Sequence, residues 1–175
     1  DIDPYDWVAD NYVLTSALSD IEAIYVGNPC LPNCGQDITG DLTGLEDCPM
    51  LTHLNAQGNN IDSLTLSSTP YLTELHLNNC AYLTEIDLSS VPNLQHYNQP
   101  LSTGSYVNGG LTTFDGSNTL ELLTLNLANN DLIELNTSQN TELITLSIEK
   151  NNLTQLDVSQ NTSLTYLNCS DNLLS

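Results

Sequence analysis

One segment of this chain, residues 122–174, repeats itself at a fixed interval of 21 residues. It reads LLTLNLANNDLIELNTSQNTE, then LITLSIEKNNLTQLDVSQNTS, then LTYLNCSDNLL. Apolar residues recur at the first, fourth and sixth places of each unit, and asparagine follows at the ninth. A period of this length is typical of repeat proteins, in which each unit buries its apolar side chains only against its neighbours. The sequence therefore predicts a solenoid rather than a chain folded around one central core.

The same register extends towards the amino terminus. Units begin at Leu51, Leu72, Leu94, Leu122, Leu143 and Leu164, with spacings of 21, 22, 28, 21 and 21 residues. The long third unit contains an insertion at residues 99–110, QPLSTGSYVNGG, whose composition predicts a surface loop. Tyr97 and Gln99 stand there in places that leucine fills elsewhere, which predicts a locally weakened motif.

The apolar pattern is nested, because it recurs in the second half of each unit at Leu132 and Leu135 and again at Leu153 and Leu156. This pattern predicts a strand with alternate residues directed inward. We therefore expect extended segments in both halves, giving a mostly β solenoid with parallel strands on both faces.

The chain before Leu51 keeps the period poorly. Residues 1–20 carry an approximate helical stripe after an Asp-Pro start, which predicts a short helical N-terminal cap. Residues 21–50 are read as degenerate first rungs with a Cys-containing insertion, CLPNC, and residues 51–175 as the regular repeats. We expect a disulfide between Cys30 and Cys34 and buried free thiols elsewhere.

Inward asparagines should turn the chain at the end of each strand. Asn59, Asn130, Asn151 and Asn172 are expected to bond backbone groups of adjacent coils, since a buried amide left unpaired costs roughly 1 to 3 kcal/mol. Cys80 takes this place in the second unit. Because a thiol is a poorer donor, we expect a weaker ladder there.

The charge balance restricts the partners. The chain has 22 acidic residues against one basic residue, Lys150, and its formal net charge is -21. Nucleic acid and anionic membranes are excluded as direct partners, because both require several basic side chains. The chain has no run of 18 apolar residues, which argues against direct membrane insertion. An acidic, lysine-poor surface suits secretion, a saline habitat or divalent cations.

The register places all three histidines of the chain on the outward side of the first strands, in three consecutive coils beside a glutamate and the insertion. The candidate ligand-binding residues are His53, Asn55, Glu74, His76, His96, Asn98, Tyr106 and Tyr166. Imidazoles and a carboxylate on neighbouring strands can hold a polar ligand or converge on a transition metal. Two strand spacings, about 9 to 10 Å, separate His53 from His96, so one ion would also need His76 or Glu74. Exposed histidines without a function are the third interpretation.

Carboxylates stack in a second outward column, on the other half of the coils. Glu85, Asp87, Asp115 and Asp157 are the candidate residues for weak cation binding. Stacked carboxylates repel one another, so Ca²⁺ is a reasonable weak counter-ion, although the chain contains no DxDxDG spacing of a calcium loop. No other cofactor is expected.

Two segments carry a resemblance to a known family. They read ITGDLTGLEDCPMLTHLNAQGNNIDSLTLS and LNTSQNTELITLSIEKNNLTQLDVSQNTSLTYLNCSDN. Over residues 38–175 the chain resembles the secreted leucine-rich repeat proteins of Bacteroidetes and related bacteria, with the nested 21-residue repeat called the IRREKO type. The resemblance implies an extracellular or cell-surface protein, usually a module of a longer chain, in adhesion or recognition. It implies no enzymatic activity.

These observations predict a non-catalytic module that binds a protein or a glycan at a cell surface through the outward face of the first sheet. One alternative is a structural spacer or stalk, whose outward columns are only solvated. Another is a metal-dependent binding module or an enzyme, but the chain has no recognisable catalytic motif. The sequence stops midway through a unit at Leu173–Ser175, which predicts a longer array or pairing with a second copy at that end.

Overall fold

The computed structural model of the protein describes residues 20–26, 38–42, 44–101 and 110–175. Its strands are β1 (Ala23–Tyr25), β2 (Thr39–Asp41), β3 (His53–Asn55), β4 (Asn60–Ser63), β5 (Glu74–His76), β6 (His96–Asn98), β7 (Thr124–Asn126), β8 (Thr145–Ser147) and β9 (Tyr166–Asn168). One 3₁₀ turn, Leu45–Asp47, is the only helix in the described part of the chain. The predicted helical cap lies outside the described residues apart from Asp20, and so does the predicted disulfide between Cys30 and Cys34.

Seven strands form one parallel sheet in the order β1, β3, β5, β6, β7, β8, β9, with one strand for each coil. In β3, β5, β6, β7 and β8 the central residue is buried, while the residues on either side of it are half-buried. Leu54, Leu75, Leu125 and Leu146 are fully buried central residues that pair in register from coil to coil. The predicted parallel-strand solenoid is confirmed.

The opposite side of the solenoid departs from the prediction of strands on both faces. Among the described residues only β2 and β4 pair there as a sheet, and Asp115 and Asn136 form an isolated bridge. In the later coils the second halves are joined by single backbone bonds, such as Asn152 N–H to the Leu132 carbonyl at 2.8 Å. The prediction is therefore wrong for most of that side.

A short turn follows the second half in four coils. In each of them a serine N–H donates to the side-chain Oδ1 two residues earlier, in the pairs Ser89 to Asp87, Ser117 to Asp115, Ser138 to Asn136 and Ser159 to Asp157. These bonds do not prevent pairing between coils, because Asp115 and Asn136 both accept such a bond and also form the isolated bridge.

The predicted asparagine ladder is present. Asn151 donates through Nδ2 to the Leu127 carbonyl of the preceding coil at 2.9 Å and to the Ile148 carbonyl at 3.1 Å. Its Oδ1 accepts from Leu132 N–H at 3.0 Å. Asn59, Asn130 and Asn172 repeat this arrangement.

Cys80 keeps only part of that arrangement. Its Sγ donates to the Ala56 carbonyl of the preceding coil at 3.2 Å, and it has no second polar atom to accept a bond. Burial raises the pKa of this thiol to about 11, so it stays protonated and can donate. The thiols of Cys48 and Cys169 are also free, with Cys48 buried and Cys169 partly exposed.

The third coil is repacked rather than weakened, which corrects the expectation for Tyr97 and Gln99. Both residues are fully buried. The Tyr97 hydroxyl donates to Gln99 Oε1, and Gln99 Nε2 donates to the Leu83 carbonyl at 3.1 Å. The Tyr97 ring packs 5.4 Å from that of Phe114, and a Cβ at Gly116 would lie 2.9 Å from the Phe114 ring. Two aromatic rings and a glycine thus fill this coil in place of leucines.

Candidate functional site

Three adjacent strands carry the predicted binding residues. The register pairs His53 with Glu74 and Glu74 with His96, and it also pairs His76 with both Asn55 and Asn98. Residues on either side of a buried central residue project to the same side of a sheet. We call this outward side of the seven-stranded sheet the first face. Its residues are His53, Asn55, Glu74, His76, His96, Asn98, Thr124, Asn126, Thr145, Ser147, Tyr166 and Asn168, together with Ala23 and Tyr25 on β1.

The Glu74 carboxylate lies between two imidazole rings. Its Oε1 is 3.4 Å from His53 Nε2, and its Oε2 is 3.4 Å from His76 Nε2. The three side chains are between 32% and 40% exposed, so a ligand can reach them although neighbours hold them. Among the described residues, His96 forms no ion pair with Glu74, although it occupies the next strand.

The outer ring nitrogens are held as well. His76 Nδ1 lies 3.3 Å from the amide nitrogen of Asn98, which is a donor, so Nδ1 accepts and the ring proton is assigned to Nε2. His53 Nδ1 lies 2.7 Å from the Thr52 hydroxyl, which also lies 2.8 Å from the Glu22 carbonyl and can donate to only one of them. When the hydroxyl donates to His53, both histidines present an Nε2 proton to the carboxylate.

Thr52 was not among the predicted site residues, because nothing in the repeat pattern marks it. With His53 and Glu74 it gives the cluster the order of a nucleophile, a base and an orienting acid. Acyl transfer also needs backbone donors for the developing oxyanion. The N–H groups of Thr52 and His53 both donate to the Glu22 carbonyl, at 2.8 and 3.1 Å. Those of Thr73 and Glu74 donate to the Thr52 carbonyl, at 2.8 and 3.0 Å. The strand ladder thus occupies these four N–H groups, so they are not available to an oxyanion.

The remaining predicted residues lie around or beyond this cluster. Asn55 is beside it, but its Oδ1 already accepts from Gln57 N–H at 3.1 Å. Tyr166 is on the same face and 52% exposed, but β7 and β8 separate its strand from β6. Tyr106 lies outside the described residues. The structure therefore brings together His53, Glu74, His76 and Asn98, and not the whole predicted set.

The opposite outward side, which we call the second face, carries the predicted acidic column. An open groove of about 590 Å³ runs there, lined by Asp62, Ser63, Leu64, Glu85, Ile86, Asp87, Thr113, Phe114, Asp115 and Glu134. Hydrogen bonds from the serine two residues later lower the pKa of Asp87, Asp115 and Asp157. The nearby Asp87 charge raises the pKa of Asp115, but more weakly than its serine lowers it.

The turns therefore favour the ionised form of these three aspartates. In the described part of the chain, no group of three or more His, Cys, Asp or Glu side chains is placed to hold a metal ion. Weak cation binding at Glu85, Asp87, Asp115 and Asp157 stays a prediction. The described residues also contain no helix that is long and apolar enough to cross a membrane.

Comparison with known proteins shows the fold. No protein-family model and no curated protein matches the chain. Internalin C2 of Listeria monocytogenes is 20% identical, with a TM-score of 0.54 over 93% of this chain and 77% of its own. Another internalin of that organism is 21% identical, with a TM-score of 0.52 over 91% of this chain and 51% of its own. A leucine-rich repeat protein of Leptospira interrogans is 21% identical, with a TM-score of 0.52 over 73% of this chain and 39% of its own.

The chain thus spans about half or less of two of these three structures. These structural neighbours are bacterial leucine-rich repeat proteins, and the chain shares their fold, a parallel-strand solenoid.

Proposed function

We propose that this protein is a non-catalytic recognition module that binds a protein or a glycan through its first face, outside the cell or at a cell surface. The observation that carries the proposal is the half-exposed cluster of His53, Glu74 and His76, in which one carboxylate is held between two imidazoles. Thr52 and Asn98 occupy the outer ring nitrogens and so limit ring rotation. Polar groups that are fixed before binding lose less entropy when a ligand arrives.

A comparison of the outward residues from coil to coil also supports a binding site on the first face. Residues that folding requires repeat, as the buried leucines of β3, β5, β7 and β8 do. The outward residue before each buried central residue varies, since His53 is followed by Glu74, His96, Thr124, Thr145 and Tyr166. The outward residue after it repeats in part, because Asn55, Asn126 and Asn168 bond the backbone N–H two residues later. The backbone makes no such demand on the first set, so its diversity is better explained by a ligand than by the fold.

The proposal is tested by binding of the protein to an array of glycans and surface proteins, beside a triple variant, His53→Ala, His76→Ala and His96→Ala. Asp157→Asn is the matched control, because it changes a charge on the second face and keeps the Oδ1 that Ser159 N–H bonds. Each protein is measured in calcium buffer and in chelator, which tests whether a cation contributes.

A ligand that the triple variant loses and Asp157→Asn retains supports recognition on the first face. Binding that both variants retain contradicts it. If the wild-type protein binds nothing on any array, the result favours the alternative of a structural spacer, in which the first face is only solvated.

A further inference from the structure

The first face is rich in hydrogen-bonding groups and poor in aliphatic ones. Its outward residues from β3 to β9 are histidine, asparagine, glutamate, threonine, serine and one tyrosine, without a single leucine, isoleucine or valine. Protein interfaces usually have an apolar core and are enriched in arginine and aromatic residues. A surface of planar amides, imidazoles and hydroxyls is better suited to a ligand that presents many hydroxyl groups.

An exposed aromatic ring extends the cluster towards the amino terminus. Tyr25 on β1 pairs in register with Asn55, so the residues Tyr25, Asn55, His76 and Asn98 form one continuous outward row. The Tyr25 side chain is 70% exposed, and Ala23, its outward neighbour on β1, contributes only a methyl group. A tyrosine offers an apolar ring surface and a polar hydroxyl, which is the combination that stacks against a sugar ring.

Asn55 supplies a donor between the ring and the histidines. Its Oδ1 is engaged by Gln57 N–H, which fixes the amide, while its Nδ2 has no hydrogen-bond partner within the described residues. Successive strands of a sheet are about 4.8 Å apart. This spacing is close to the length of one sugar residue in an extended chain. A glycan running along the solenoid can therefore place one sugar over each coil from β1 to β6.

The charge of the protein selects among glycans. The net charge is -21, and Glu74 lies at the centre of the cluster, so a chain carrying carboxylates or sulfates would be repelled. Resting on the function proposed above, we infer that the ligand is a neutral, extended oligosaccharide, with Tyr25 as its stacking platform and Asn55, His53, Glu74 and His76 as its hydrogen-bonding partners.

The test is calorimetric titration of the protein with three neutral hexasaccharides, built from β-1,4-linked glucose, xylose or N-acetylglucosamine. The variants are Tyr25→Ala, Tyr25→Phe, which keeps the ring, and the histidine triple variant. Tyr71→Ala is the control, because Tyr71 is also exposed but lies in the turn before β5 and not on the first face. We expect about a three- to tenfold loss of affinity in Tyr25→Ala, little change in Tyr25→Phe and none in Tyr71→Ala.

Each outcome separates this inference from the function on which it rests. Saturable binding of a hexasaccharide that Tyr25→Ala weakens and Tyr71→Ala keeps supports the inference. No binding of any hexasaccharide overturns it, but the proposed function survives if the triple variant loses a defined protein ligand on the array. Hexasaccharide binding that Tyr25→Ala and the triple variant both retain overturns the inference and the assignment of recognition to the first face.

Discussion

The first face and the second face are built from the same repeat, yet their outward residues vary to different degrees. On the first face the outward residue before each buried central residue changes from His53 to Glu74 to His96. The outward residue after it is asparagine in several coils, and the Oδ1 atoms of Asn55, Asn126 and Asn168 accept from the N–H two residues later. On the second face four coils use an aspartate or asparagine in the same way, to bond the serine two residues later. A side chain that makes this bond shapes the backbone and is less free to vary, so specificity belongs at the outward positions that do not make it, such as His53, Glu74 and His76.

The largest expected effect on stability comes from the asparagine ladder, which joins neighbouring coils inside the solenoid. Asn151→Ala should lower the free energy of unfolding by roughly 3 kcal/mol, because two carbonyls and one N–H lose partners in the interior. Asn152→Ala changes an exposed neighbour and should stay within about 0.5 kcal/mol of wild type. Urea denaturation followed by circular dichroism measures both. Equal stability of the two variants would mean that the ladder is not what joins the coils.

The second effect concerns the third coil, where the first face is supported from inside by polar residues. Gln99→Leu restores the repeat pattern but removes the acceptor of the Tyr97 hydroxyl and the donor to the Leu83 carbonyl. We expect a loss of roughly 1 to 3 kcal/mol by urea denaturation. Adding Tyr97→Phe removes the orphaned hydroxyl, so the double variant should be more stable than Gln99→Leu alone. A double variant that is less stable would contradict the buried pair as described.

Stability measured as a function of pH distinguishes the role of the second face from that of the first face. The folded-state pKa values of Asp87, Asp115 and Asp157 are lowered by their serines. Their contribution to stability is therefore complete above the unfolded value, near pH 3.9, and is lost as the pH falls through the lower folded values. Changing all three to asparagine keeps the Oδ1 acceptors and removes the titration.

We expect the wild-type protein to lose stability more steeply than this triple asparagine variant when both are acidified below about pH 4. Unfolding at a series of pH values measures the difference. Binding on the first face at pH 7 should be the same in both proteins. A variant that lost ligand at pH 7 would break the division of roles between the faces.

The smallest effect is a stabilisation. Lys150 has a φ of 56°, in the left-handed region, at the place in the coil where Gly58 stands in the first unit. Lys150→Gly should relieve this strain and raise the free energy of unfolding by roughly 1 kcal/mol, although glycine also makes the unfolded chain more flexible. Lys150→Ala removes the same charge and keeps the strain, so it should not stabilise the protein. If both variants gained equally, charge and not backbone geometry would be the cause.

The sequence predicted the structural features that depend only on the length of the repeat. A spacing of 21 residues fixed which leucines point inward, and from these followed the outward row that contains His53, Glu74 and His96. The roles of Asn130 and Asn151 were also predictable, because an inward amide in a turn must bond the backbone around it. Each of these features repeats from unit to unit and so leaves a pattern in the sequence.

Other features could not be predicted because they depend on how two side chains meet in space. The same apolar spacing predicts a strand in both halves, and only the structure shows that most second halves are joined to their neighbours by single backbone bonds, such as Asn152 N–H to the Leu132 carbonyl. In the sequence Tyr97 only departs from the leucine pattern. The structure shows that it is buried in the core, bonded to Gln99 and packed near the Phe114 ring.

At the candidate site, too, the repeat pattern predicts some features and the tertiary structure decides others. The sequence by itself determined which residues share the first face, since strand period and repeat length require it. The tertiary structure decided that Glu74 lies between His53 and His76 and that His96 is left out of their ion pairs. It also decided that Tyr25 on β1 continues the row of Asn55, His76 and Asn98. The reason is that period fixes the side to which a residue points, whereas side-chain conformation and the course of the first coil fix which residues touch.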